Sequence, residues 1–160
     1  MSGLTSTVPA AMSALIGHLN YVKAARNTNP SVPQIEVIDG ELVEAYPDQY
    51  MQLVGVSNLR QQTISMGNLR REETYDLDLV IRIWQGDTND YGTVDSTTVR
   101  TTAFAVLEQI VLRITADYTA GGAIRFWQLG AVSMGTPDTG GNGWACELRA
   151  PIECQVSIQQ

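Results

Sequence analysis

Lysine is almost absent from this chain. Lys23 is the only one, and with nine arginines it makes ten basic residues against seventeen acidic ones, a formal charge of −7. The arginines are scattered, so the basic stripe by which proteins grip nucleic-acid phosphates is missing, which argues against tight DNA binding. Histidine occurs once, as His18, and no CxxC is present; that leaves no zinc ligand set. The two cysteines, Cys146 and Cys154, lie eight residues apart in a strand-like run. Along one strand that spacing spans roughly 26 Å, far beyond the reach of a disulfide. They share parity with Trp144, Leu148, Ile152, Val156 and Ile158 and are expected in the core as reduced thiols. Long apolar runs are missing too, and none nears the roughly 20 residues that span a bilayer. The opening MSGLTSTVPAAMSALIG carries no basic residue of the kind that starts a secretory signal. The expectation is a soluble protein that stays in the cytoplasm where it is made.

The 160 residues suit one domain, 1–160, with a single core. Its clearest pattern is 72–84 (EETYDLDLVIRIW), where Tyr75, Leu77, Leu79, Ile81 and Ile83 fall on one face and Thr74, Asp76, Asp78 and Arg82 on the other. That alternation marks a long half-buried strand. A helix follows over 96–117, its stripe of Val99, Ala103, Val106, Ile110 and Ile114 widened by Phe104, Leu107 and Val111, with Asp95 or Ser96 as N-cap. A first helix is expected over 8–26, from Val8, Ala11, Met12, Leu15, Leu19 and Val22, capped by Ser6 or Thr7 with Pro9 tolerated in its first turn. Strands are expected at 34–38, 50–56, 123–132 and 144–158. Pro151 cannot donate to a ladder, which predicts an edge position or a bulge for the last of these. The segment 57–69 (SNLRQQTISMGNL) is too long for a tight turn and reads either as an extended hairpin arm or as a disordered loop. The fold class is α+β: two helices packed on one face of a mainly antiparallel sheet of about five strands.

Candidate chemistry is sparse. The acidic loop GDTNDYGTVD (86–95) offers Asp87, Asn89, Asp90 and Asp95, yet a calcium loop counted from Asp87 would require an acid at Thr98. A turn leading into a helix N-terminus accounts for these acids better. Gly121-Gly122 stands between a helix and a strand without lysine, which suits a helix C-cap and not a phosphate loop. His18 has no GxSxG serine to serve and reads as structural or solvated. Asp76 and Asp78, roughly 6.6 Å apart by strand rise, have the spacing of paired glycosidase carboxylates but no aromatic platform beside them. Arg70, Arg71, Glu72 and Glu73 form a mixed-charge run, readable as a solvated strand end that discourages edge pairing or as an intersubunit ion-pair surface. No catalytic residue, metal or cofactor is expected.

The order of landmarks resembles a known family. An N-terminal helix, a strand ending in LVGVS, an RREETYDLDLVI strand closed by W-x-GD, a helix with Arg100 near its start, and ADYTAGGAIR follow one another over residues 8–158. Together they look like the tail terminator and tail completion proteins of long-tailed bacteriophages, especially those infecting actinobacteria. The resemblance implies a virion protein, assembled in the host cytoplasm, that forms a homo-oligomeric ring of six. Such a ring caps the tail tube at its final length, contacts the major tail tube protein on one side and the head–tail connector or stopper on the other, and lets DNA through without binding it. A surplus of acid suits such a passage, since cations would trap phosphates. On this reading Arg70, Arg71, Glu72, Glu73, Trp84 and Trp144 are candidates for the subunit interface. Leu59, Arg60, Ile64 and Met66 are candidates for contact with the tube. A stopper or adaptor ring of the neck shares these features, and a small enzyme would need a convergent polar pocket at His18 or Asp76.

Overall fold

A computed structural model describes residues 6–41, 45–65, 70–86, 88–89, 92–137, 139 and 143–158. The chain begins with helix α1, Val8–Asn27, which buries Ala11, Leu15, His18, Leu19 and Val22 at the expected three-and-four spacing. Thr7 occupies the N-cap position, but its hydroxyl makes no cap hydrogen bond; the Val8 N–H donates instead to Ser6 Oγ. Strand β1, Glu36–Asp39, is followed by β2, Gln49–Ser65, and β3, Arg70–Gln85. A small hairpin of β4, Thr88–Asn89, and β5, Gly92–Thr93, leads into helix α2, Ser96–Ala116. Asp95 caps α2 in a reciprocal box: the Thr98 N–H donates to its Oδ1, and its own N–H donates to Thr98 Oγ1. The expected strand 123–132 is shorter, β6 at Phe126–Leu129, and a separate β7 spans Ser133–Gly135. β8, Trp144–Ile158, completes the main sheet.

The main sheet has six strands in the order β1-β2-β3-β8-β6, with β7 also on β8. All its pairs are antiparallel except β1 with β2. Both helices cover one face. There Leu77, Leu79, Ile81 and Ile83 of β3, Met51 and Leu53 of β2, and Cys146, Leu148, Ile152 and Cys154 of β8 meet Leu15, Leu19, Val99, Val106, Leu107, Ile110 and Ile114 in one cluster. The shared burial parity along β3 is what its period-2 pattern demands. Both cysteines are free and buried. Burial raises both thiol pKa values, that of Cys154 to about 12, so they remain unreactive.

Three expectations need correction. β8 is neither an edge strand nor bulged: it pairs with β3 without a register shift from Ile158 to Trp144. Pro151 is tolerated because its carbonyl accepts from Gly130 N–H, away from β3. Backbone N and O of one strand residue face the same neighbour, so the missing N–H falls in the gap between β6, which pairs with 152–155, and β7, which pairs with 147–149. Trp144 has core parity but lies at the strand's start beyond the helices, and is 42% exposed. Phe104, assigned to the helix stripe, is also exposed. The turn before β8 requires glycine at its last position, since Gly143 has φ +74° and a Cβ there would lie 2.4 Å from the Gln85 carbonyl oxygen.

Candidate functional site

The polar stretch after residue 56 is strand. β2 and β3 form one long hairpin, paired from Gln49 with Ile83 out to Ser65 with Arg70. Residues 57–65 therefore take the hairpin-arm alternative of the two that the sequence left open. β1 pairs only with Tyr50–Leu53, and no described strand flanks β2 beyond them. Along this outer half the pairing shifts register three times, between Leu53 and Gly55, Ser57 and Arg60, and Thr63 and Ser65. At the middle shift Asn58 takes a left-handed φ of 54°, a conformation asparagine tolerates better than most residues. Its side-chain amide donates to Asp76 Oδ2 at 2.8 Å. Leu59 and Arg60 are exposed on the arm. Ile64 is placed by its backbone alone, and Met66 lies outside the described residues.

The arm is anchored by a buried acid. Glu73 is fully buried and accepts from the Thr7 N–H at 2.9 Å, from Thr7 Oγ1 at 2.6 Å and from Gln61 Nε2 at 2.6 Å. Burial alone would raise its pKa; the donors from Thr7 and Gln61 outweigh it and leave the carboxyl below its ordinary value. Tyr75 joins through its hydroxyl, 3.0 Å from Thr7 Oγ1, and burial pushes its pKa up to about 12. Thr7 thus spends its hydroxyl on the hairpin and not on capping α1. Glu73 accordingly leaves the set of surface candidates, because it faces inward while its neighbours do not. Arg70 Nε donates to Ser157 Oγ at 2.8 Å, Gln155 Nε2 donates to Glu72 Oε1, and Arg71 is exposed. Trp84 and Trp144 sit at the other end of β3, roughly 40 Å away along the strand. The structure therefore places both tryptophans at one end of the sheet, on opposite faces, and neither near the charged run.

The face of the sheet away from the helices carries charge. Cross-strand pairs place Arg82 opposite Glu147, Val80 opposite Arg149, and Asp76 opposite Glu153, with Asp78 opposite Pro151. Around Asp76 lies a hollow of about 420 Å³, lined by Arg60, Gln128, Glu153 and Gln155 among others. It is the polar depression that an enzyme reading would need. Of its two acids Asp76 accepts from Asn58, while Asp78, outside the hollow's lining, accepts from Ser57 Oγ at 2.9 Å. Cys154 also borders it, and its thiol is protonated. His18 lines neither this hollow nor the groove between the helices. Its Nε2 lies 2.8 Å from Asp117 Oδ2, and its ring meets Trp127 edge-on with centroids 5.8 Å apart. Asp117 also accepts from the Gly121 N–H, which lowers its pKa first, with the His18 contact adding to the effect. This is the packed end of α2, whose C-cap is Asp117; Gly121 and Gly122, expected to cap the helix, take positive φ in the turn beyond it instead. Asp87 and Asp90 of the acidic loop lie outside the described residues. Among the described residues no group of three or more His, Cys, Asp or Glu side chains could hold a metal, and no helix is long and apolar enough to cross a membrane.

Sequence reasoning missed the Glu73 clamp, whose partner Thr7 is far away in the chain. A faint signal existed, in that an acid with core parity beside Tyr75 needs donors. No protein-family model and no curated protein matches this chain.

Proposed function

We propose that this chain is a virion structural protein that closes into a six-membered ring, caps the tube of a phage tail and offers the joining surface for the head. The observation that carries this reading is the outer half of the β2–β3 hairpin. Residues 57–65, paired with 70–76, continue the sheet as a polar strand with isolated apolar side chains such as Leu59, backed by β8 along 71–76 and pinned midway by Glu73, which pairs with Gln61. Ending a polymer requires one face that takes the place of the next subunit and another that refuses further addition. A strand pinned in this way, whose outer edge on β2 no described strand covers, supplies the first, and the major tail tube protein is its partner. The helix-free face supports the passage of DNA, since Glu72, Asp76, Asp78, Glu147 and Glu153 outnumber Arg60, Arg70, Arg82 and Arg149 there. Turned toward a lumen, that surplus repels phosphates. The linear order of landmarks supports the terminator reading over a connector ring, which would fill the neighbouring position.

The test replaces residues 59–66 with a short Gly/Ser linker in the phage genome. The protein is expected to stay folded, because residues 59–63 are exposed and outside the core cluster; among the described side chains the variant loses only the Gln61 donor to Glu73. Tails are expected to overrun their normal length and fail to join heads. Tails of normal length that carry heads would remove the arm from any terminating role. Image reconstruction of the tail–neck junction tests the ring itself, and three-fold or twelve-fold density for this chain would refute six.

A further inference from the structure

A groove between α1 and α2 encloses a cavity of about 320 Å³, lined by Tyr21, Ala25 and Arg26 from one helix and by Ala105, Gln109 and Arg113 from the other. The Nε atoms of Arg26 and Arg113 are both buried and have no hydrogen-bond partner. Among the described residues neither guanidinium forms an ion pair; Arg113 lies instead over the Tyr21 ring, 3.8 Å from its centroid. Orphaned buried donors are rare in native proteins because each gives up its bond to water and gains none in return. Here two orphans of one type, both cationic, line one cavity in a chain of net charge −7. Such a pair calls for an anion from outside.

The walls narrow the choice of anion. Alanines, valines and a tyrosine ring make up most of the lining, a poor exchange for the hydration shell of a phosphate. A carboxylate on an apolar stem suits both parts: its two oxygens match a guanidinium fork, and its stem meets the apolar wall. The surroundings narrow the carrier. Tyr21 is 56% exposed and Leu112 is 57% exposed. Leu112 follows Gln109 by three residues and Ala105 by seven, which puts it on the same flank of α2. The apolar surface thus runs out of the cavity, further than a free acid of a few carbons would cover.

We propose that this groove docks an acidic segment of a partner protein, with a glutamate carboxylate received by Arg26 and Arg113 and the apolar neighbours of that glutamate covering Tyr21 and Leu112. This assignment does not depend on the ring reading. The test follows the Arg Nε–H resonances of the labelled full chain by NMR during titration with a blocked peptide of leucines and alanines around one central glutamate. That peptide is expected to shift both resonances and to bind at least about tenfold more tightly than its glutamine counterpart, a difference of about 1.4 kcal/mol. Arg26→Gln is expected to lose at least about tenfold in affinity without lowering the melting temperature. As a check independent of Arg26, Gln109→Glu supplies an internal carboxylate one turn before Arg113 and is expected to block the peptide and raise the melting temperature. Equal binding of the two peptides, undiminished binding to Arg26→Gln, or no shift at about 1 mM peptide, where binding energy is only about 4 kcal/mol, would overturn the proposal. Hexanoate binding as well as the peptide would make this a small-acid site, and inorganic phosphate displacing the peptide would make it a phosphate site; either overturns the docking surface. Self-association of the wild type that vanishes in Arg26→Gln would give the groove to a second copy of this chain and overturn the assignment to a different protein.

Discussion

Glu73 is an acid in a place where acids are seldom found, and its protonation ties the fold to pH. Its folded pKa lies below the ordinary glutamate value because donors from Thr7 and Gln61 outweigh its burial. The folded state therefore binds this proton less readily than the unfolded chain does. The clamp contributes stability above the ordinary glutamate range, and that contribution fades as pH falls below the range and is gone below the folded pKa. Glu73→Gln is expected to cost about 1–3 kcal/mol at pH 7, since Thr7 would then donate to a neutral group. Urea midpoints at pH 7 and pH 3 check the sign: the wild type loses more on acidification than Glu73→Gln does. Equal losses would mean that some other group governs the acid limb. Leu107 offers a simpler case. It is buried against the sheet, so Leu107→Ala is expected to cost about 2–5 kcal/mol in urea denaturation, and a loss below about 1 kcal/mol would place it at the surface.

Among the elements, the strongest periodicities gave the surest reading. Leu77 to Ile83 and Cys146 to Val156 alternate except at Val80 and Pro151, and both became long central strands whose parity of burial follows the pattern apart from Val80. Helix stripes did nearly as well, apart from Phe104. The outer half of β2 was left ambiguous because each bulge resets its parity, and neither face is buried there to enforce one. Those bulges also give the exposed edge a twist that discourages pairing with other chains, in place of the lysines and prolines it lacks. Pro151 misled for a different reason: the rule concerns where the missing N–H points, and that depends on a gap between two neighbouring strands that no local pattern reveals. Pro151→Ala is accordingly expected to shift stability by less than about 1 kcal/mol, because no ladder bond is waiting for its N–H. Ala150→Pro removes a donor that faces β3 and is expected to cost about 3 kcal/mol or more. Thermal melts of the two variants separate the cases, and similar losses would refute the gap. The candidate sites were less legible than the fold. Arg70, Arg71, Glu72 and Glu73 read as one charged run, but a strand turns alternate members to opposite faces, and only a remote threonine explains the buried one.

For the whole molecule, the charge balance sets how it meets nucleic acid. With −7 overall and acids in excess on the helix-free face, the purified protein is expected to leave duplex DNA unshifted at low salt, with any dissociation constant weaker than about 10⁻⁴ M. Asp76→Lys combined with Glu153→Lys reverses the sign of that face and is expected to produce salt-sensitive retention on heparin. Tight DNA binding by the unaltered protein would contradict a passage that only lets DNA through.

The pairing of β3 with β8 joins residue 71 to residue 158 and residue 85 to residue 144. During synthesis β3 therefore emerges long before the strand that flanks it in the sheet. The hairpin with β2 can zip early, since its strands are adjacent in the chain. Helix α2 also forms locally, but the wide apolar face of β3 stays half-roofed until β8 arrives. In that interval Leu77, Leu79, Ile81 and Ile83 are presented along an unpaired edge, the kind of surface on which nascent chains stick to one another. A chain stopped at residue 143 keeps that surface permanently and is expected in the insoluble fraction, where the full chain is not. For such a protein, slower translation and lower temperature during expression protect yield more than any change to its finished surface.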